Sequence, residues 1–216
     1  MRKKIVLILA AGKGTRMKSP YPKVLHPLLG KPMISRLIDS LLTINPSKIY
    51  AVVGYQADKV KEVIKEYNIE TIYQEPQLGT AHALMIAEEM LLKEGEADLL
   101  IVSGDVPLIP MDEINFFFNT FSNSPNIASL ISITLEEPYG YGRVLKDFEG
   151  KLKRIVEEKD ATPAQKTTKE VNTGVYFMRI PDVFPYLKRI DTRNEQGEYY
   201  LPDLFSIIYS ENKLLD

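Results

Sequence analysis

The stretch IVLILAAGKGTRM, residues 5–17, decides the fold. Its first six residues are apolar without alternation, as a strand buried on both faces requires. A run of this kind that passes straight into Gly12-Lys13-Gly14-Thr15-Arg16 reads as the first strand and first loop of an α/β sheet. Loops after the carboxyl ends of parallel strands are where such sheets bind ligands. The segment has the outline of a short signal peptide, with Arg2, Lys3 and Lys4 ahead of it. Its apolar part, Ile5 to Ala11, sits at the short end of that range and no small-residue cleavage region follows, so it reads as a buried strand.

Outward from this stretch, apolar runs alternate with helical periods. Met33, Ile34, Leu37, Ile38, Leu41 and Leu42 recur at helical spacing within 32–45, with Pro32 suited to the first turn. Val60, Val63, Ile64 and Tyr67 repeat the pattern in 57–67, and helices are also expected at 80–93 and 111–121. Strands are expected at 49–53, 70–74, 98–103 and 127–134. The alternation predicts an α/β fold: a Rossmann-like, mostly parallel sheet with helices on both faces.

The rhythm changes after about residue 135. Residues 142–147 and 151–158 flank Phe148-Glu149-Gly150 as a hairpin; a polar stretch (160–170), a strand (173–179) and helices near 181–189 and 200–210 follow. This predicts a small α+β lobe packed on the sheet edge. Without a linker of Gly, Ser or Pro, residues 1–216 read as one domain with lobes 1–135 and 136–216. No internal repeat is visible, and in particular no hexapeptide period.

The charge is uneven. Net charge is −2, which argues against nucleic acid or an anionic membrane as the main partner. Yet no acidic residue precedes Asp39, while Arg2, Lys3, Lys4, Lys13, Arg16, Lys18, Lys23, Lys31 and Arg36 all do. We read Lys13, Arg16 and Lys23 as an anion site and Arg2, Lys3, Lys4 and Arg36 as solvated surface. Cysteine is absent, which excludes disulfides and thiolate chemistry and fits a reducing cytoplasm. Two histidines, His26 and His82, cannot make a His-rich metal centre, and both read as structural. No apolar run approaches the ~20 residues that span a bilayer.

Four loops are expected at the carboxyl edge: 10–23, Gly54-Tyr55-Gln56, Gln74–Thr80 and Gly104-Asp105. In the first, Gly12 and Gly14 let backbone N–H groups approach an anion, with Lys13, Arg16 and Lys23 adding charge. The dinucleotide pattern G-x-G-x-x-G fails at Met17, and the P-loop pattern is absent. Asp105, directly after a buried strand, suits Mg2+, which needs few protein carboxylates when phosphates supply the rest. Gln74 can donate and accept toward a pyrimidine edge. Gly79 would expose backbone N–H, and Thr80 is also a candidate N-cap.

These residues carry a resemblance. LAAGKGTRM (9–17) followed by PKVL (22–25) resembles the signature of sugar-nucleotide pyrophosphorylases. QLGTAHA (77–83), GDVPL (104–108), GYGR (140–143), EEKDA (157–161), NTG (172–174) and GEYYLPD (197–203) narrow it. Together they resemble the uridylyltransferase domain of bacterial bifunctional N-acetylglucosamine-1-phosphate uridylyltransferase / glucosamine-1-phosphate acetyltransferases. The resemblance implies UTP and N-acetylglucosamine-1-phosphate as substrates and Mg2+ as cofactor. It implies that Leu9, Ala10, Ala11 and Gly12 line the UTP site, that Arg16 and Lys23 hold the phosphates, and that Gln74, Gly79 and Thr80 contact uracil. Asp105 would bind the metal, and Gly142, Glu157 and Asn172 the amino sugar.

Two departures stand out. Ser103 occupies the place of a common aromatic residue before Gly-Asp, and no segment matches the family's second metal ligand, an Asn. The family's C-terminal β-helix, which holds its trimers together, has no counterpart in these residues, so acetyl transfer is not expected of them; the resemblance implies a monomer for this chain and a trimer if the native protein carries a β-helix domain. The rival readings are a nucleotidyltransferase of different NTP or sugar specificity, or a nucleotide-binding module of low turnover.

Overall fold

The computed structural model describes residues 2–14, 17–213 and 215. Strand β1 (Lys3–Ala10) is its spine. Ile5 and Leu7 enter one core while Val6, Ile8 and Ala10 enter another, so the unbroken apolar run is explained by burial on both faces. Between β1 and helix α1 (Met33–Leu42) lie a 3-10 turn (Lys23–Leu25) and a minimal hairpin, β2 (Pro27–Leu28) with β3 (Lys31–Pro32). Pro32 therefore ends β3 and stands one residue ahead of α1, rather than in its first turn. The chain continues through β4 (Lys48–Val53), α2 (Ala57–Ile64), β5 (Glu70–Tyr73), α3 (Thr80–Leu92) and β6 (Ala97–Ser103).

β4 and β6 flank β1 in parallel, and β5 adds to β4. The resulting order, β5-β4-β1-β6, reverses direction between β1 and β6. That reversal opens a crevice at the carboxyl ends of these two strands, because the crossover helices leave to opposite faces. α1, α2 and α4 (Met111–Asn123) cover the face bearing Val6 and Ile8, through Leu37, Val60 and Phe118 among others. α3 covers the opposite face through Ala83, Leu84, Ala87 and Leu91.

The second half extends the same sheet. After β7 (Ala128–Thr134), β8 (Arg143–Lys146), β9 (Leu152–Val156) and the short helix α5 (Pro163–Lys166), the long strand β10 (Glu170–Ile180) pairs antiparallel with β6, β7 and β8. α6 (Phe184–Leu187) and α7 (Asp203–Ser210) then pack beside α3. The expected α+β portion joins the sheet edge through its own strands, which continue the sheet and satisfy the hydrogen-bonding edge that β6 would otherwise expose. The architecture is the α/β class expected, parallel on the β1 side and antiparallel beyond β6. α5 lies in the stretch read as merely polar. It carries a capping box in which Thr162 accepts from the Gln165 N–H and the Gln165 side chain accepts from the Thr162 N–H.

The amino-terminal cations are not simply solvated. Arg2 and Lys3 pair with Glu96 and Glu94, and Lys4 donates to Asn115 and Asn119. Arg36 donates to the carbonyls of Leu28 and Leu29, which fastens the β2–β3 turn to α1. No helix among the described residues is long and apolar enough to cross a membrane.

At the amino end of β6, far from the crevice, Asp98 faces its register partner Arg179 on β10, 3.7 Å away. Both are buried, and Arg179 also donates to the carbonyls of Phe121 and Ser124 at the end of α4. Asp98→Ala leaves that guanidinium buried without its counter-charge and should cost about 3–5 kcal/mol, read as a lowered denaturant midpoint. Adding Arg179→Met should recover most of the loss.

Candidate active site

Backbone hydrogen bonds draw the four loops together. Tyr55 N–H donates to the Ala11 carbonyl (3.0 Å), Gly104 N–H to Leu9 (2.9 Å) and Gln74 N–H to Val53 (2.8 Å). The Gln56 amide donates to the Pro20 carbonyl, anchoring the far end of the first loop. Three of these loops line a cleft of about 580 Å³ at the switch point; Gly54-Tyr55-Gln56 does not line it and only braces the first loop. Leu9, Ala10, Ala11, Gly12, Lys13 and Gly14 form one wall, Gln74, Gly79 and Thr80 another, and Lys23, Ser103 and Asp105 the floor; Gly174, Tyr176 and Glu198 close it from the second lobe.

Lys23 and Asp105 meet at this floor as an ion pair. Gly14 makes that possible: its φ is +66°, and a Cβ there would stand 2.6 Å from the Cβ of Lys23. The glycine loop therefore lies directly on the lysine stem. Burial alone would push the Asp105 carboxyl up, but hydrogen bonds from Lys23 and from the Ser103 hydroxyl (2.5 Å) outweigh it and hold the group below its usual range. Asp105 is thus ionised at neutral pH. Its contribution to folding is complete above the ordinary aspartate pKa of about 3.9 and is lost as pH falls through the lowered value.

The base-side loop is clamped by the segment 198–201. Ala81 N–H donates to the Tyr199 carbonyl, and Tyr199 N–H to that of Leu78. Gly79, at φ +112°, has no room for a side chain, since a Cβ would stand 2.5 Å from the Tyr199 carbonyl oxygen. Thr80 is not the N-cap; Gly79 holds that position, and the Thr80 hydroxyl accepts from the Leu201 N–H at 3.0 Å. Gln74 is buried, and its amide nitrogen contacts the Gly79 carbonyl and His82 Nδ1.

Residues 6–160 match the model of the MobA-like NTP transferase domain, well over half the chain. The chain belongs to this family. The NTP transferase domain is similar to curated proteins named "Bifunctional protein GlmU". It is 45% identical to that of Thermoanaerobacter pseudethanolicus over 94% of this chain, and 43% identical to that of Streptococcus uberis over 96%. It spans 44% of the length of each. Two solved structures share the fold. A UDP-glucose pyrophosphorylase complexed with UDP-glucose gives a TM-score of 0.76 at 17% identity, covering 99% of this chain and 89% of that one. A putative glucose-1-phosphate thymidylyltransferase from Bacillus anthracis gives 0.78 at 21% identity, covering 98% and 85%. The protein is a nucleotidyltransferase by family.

In the NTP transferase domain the three residues assigned to the sugar come together beside the cleft. Asn172 N–H donates to the Gly142 carbonyl at 2.9 Å, and a Cβ on Gly142 would stand 3.0 Å from Glu157 Oε1. Asn172, Thr173 and Gly174 lie within a register shift of β10, a bulge that turns the Asn172 amide inward. That amide accepts from the Gly174 N–H and donates to the Tyr176 hydroxyl at 2.7 Å. Tyr176 lines the cleft and links the two groups; its burial pushes the phenol well above its ordinary pKa, so it stays neutral. Glu157 itself lines a separate hollow of about 200 Å³ with Asn194 and Tyr200.

Sequence reasoning missed several contributors. Glu158, not only Glu157, matters: it pairs with the buried Arg143 at 2.7 Å and accepts from the Gly140 N–H, joining the GYGR and EEKDA motifs. Glu198 and Gln77 line the cleft, and Ser103 orients Asp105. The motifs contained each of these residues, but only pairing in space separates them from their neighbours. Arg16 lies outside the described residues. Among the described residues no group of three or more His, Asp or Glu is arranged to hold a metal ion; the cleft is lined by two carboxylates, Asp105 and Glu198.

Proposed function

We propose that this domain transfers the uridylyl group of UTP to N-acetylglucosamine-1-phosphate, giving UDP-N-acetylglucosamine and pyrophosphate. The observation that carries the reading is the Lys23–Asp105 pair beneath the glycine loop, between an amide-bearing base wall and the Gly142–Glu157–Asn172 cluster. The order of motifs and the likeness to the bifunctional relatives support the choice of uridine and amino sugar.

In this reaction an oxygen of the sugar phosphate attacks the α-phosphorus of UTP in line, and the bond from that phosphorus to the β-phosphate bridging oxygen breaks. The attacking oxygen is already anionic, so no general base is needed; catalysis is positioning and charge neutralisation. Backbone groups of Leu9–Gly14 seat the nucleotide, and Lys23 turns from Asp105 to the α-phosphate. Arg16 is assigned to the departing pyrophosphate. The residues fit one Mg2+ ligand: Asp105 is a single ionised carboxylate at a strand end, leaving the other positions to phosphate oxygens and water. When bound, the ion would neutralise phosphate charge. Gly142, Glu157 and Asn172 hold the amino sugar.

A panel of UTP, dTTP, CTP and GTP against sugar 1-phosphates, read by pyrophosphate release, tests the proposal. UTP with N-acetylglucosamine-1-phosphate should give the highest kcat/KM, in a divalent-dependent assay. Preference for another pair would reassign the substrate; UTP binding without turnover would make the domain a nucleotide-binding module.

A further inference from the structure

The Gln74 amide makes two contacts through the same nitrogen: Nε2 lies 3.0 Å from the Gly79 carbonyl oxygen and 3.1 Å from His82 Nδ1. A carbonyl oxygen can only accept, so the Gly79 contact places the NH2 end of the amide on that side. The second N–H then points at His82 Nδ1, which can accept it only as the neutral imidazole with its proton on Nε2. Both donors of Gln74 are consumed inside the protein. Gln74 is 3% exposed yet lines the cleft, and Oε1 is the atom it has left to offer there.

We infer that His82 is a positioning residue for base choice: with the Gly79 carbonyl it locks the Gln74 amide so that an acceptor faces the base. This rests on the cleft being the pyrimidine nucleotide site. Uracil and thymine carry N3–H, a donor, whereas cytosine carries a lone pair at N3. Cytosine would therefore set acceptor against acceptor in a water-poor site, leaving both unpaired. Without His82 only the Gly79 carbonyl opposes a flip of the amide, and the flipped amide would present its NH2 to cytosine. His82 also stands beside the Tyr199 ring, with centroids 6.3 Å apart, so the clamp formed by 198–201 backs the imidazole.

The test compares binding of UTP and CTP to the whole chain by calorimetry. His82→Phe keeps a ring beside Tyr199 and removes the acceptor; it should reduce the preference for UTP over CTP by about ten- to a hundredfold. The KM for the sugar phosphate should stay unchanged. His82→Asn, whose amide oxygen falls near the position of Nδ1, should restore the preference. His82→Leu serves in place of His82→Phe if the latter fails to fold. A preference for UTP that survives in the Phe or Leu variant overturns this inference alone, as does an Asn variant no more selective than they are. Equal binding of UTP and CTP by the unaltered chain overturns both this inference and the choice of UTP.

Discussion

Lys23→Ala is expected to lower turnover about 10²- to 10³-fold, the usual cost of removing one preorganised charge-stabilising group. The KM for the sugar phosphate should stay within about threefold, because in the proposed reaction Lys23 acts on charge that develops at phosphorus and not on the sugar. The split follows from position. Lys23 stands at the start of the 3-10 turn under Gly14, with its ammonium at the carboxyl ends of β1 and β6, while Gly142, Glu157 and Asn172 are supplied by the antiparallel half of the sheet. Steady-state kinetics with each substrate varied in turn measures it, and unchanged turnover would remove Lys23 from the chemistry. A second consequence concerns pH. Burial pushes the Asp105 carboxyl up, and without Lys23 only Ser103 and the local backbone oppose it. The acid limb of the activity profile should therefore move to higher pH in the alanine variant.

Asp105→Asn should be as damaging, with a different signature. The amide is nearly isosteric and can still accept from the Ser103 hydroxyl, so the strand end should keep its shape. What is lost is the carboxylate proposed to hold Mg2+. Turnover should fall about 10²- to 10³-fold and the saturable response to Mg2+ should disappear. Binding of the triphosphate without metal should be no weaker than in the unaltered chain, and tighter if Lys23 is drawn away from Asp105 at a cost. Lys23→Ala should weaken that same binding. Parallel titrations of the two variants with UTP, with and without Mg2+, separate the roles; an Asp105→Asn enzyme with full turnover and an intact Mg2+ response would refute the assignment.

The parts of this protein legible in its sequence are those governed by near neighbours. Ile5 to Ala10 declare a doubly buried strand because every residue is apolar, and Leu37, Ile38 and Leu41 declare a helix face by spacing alone. The capping box of Thr162 and Gln165 was equally local, and its signature stands in the chain beside the polar residues that obscured it. The β2–β3 turn was not legible, because two-residue strands leave no period; it is held by Arg36 from α1. Arg36 and Lys4 look like solvated cations in one dimension, and only the folded chain supplies the carbonyls and amides they serve.

By itself the sequence determined the α/β class, the glycine-rich loop at the end of β1 and the chain order of the motifs, since each depends on composition and periodicity within a few turns or a single strand. The tertiary structure decided the pairings. Strand order carries Asp105 to Lys23, and the antiparallel return of β10 brings the Asn172 bulge beside Gly142. The clamp of Tyr199 on Gly79, with His82, turns a side chain able to donate or accept into one that presents its oxygen. A hydrogen-bonding side chain has its role set by what occupies its other atoms, and those occupants arrive from elsewhere in the chain.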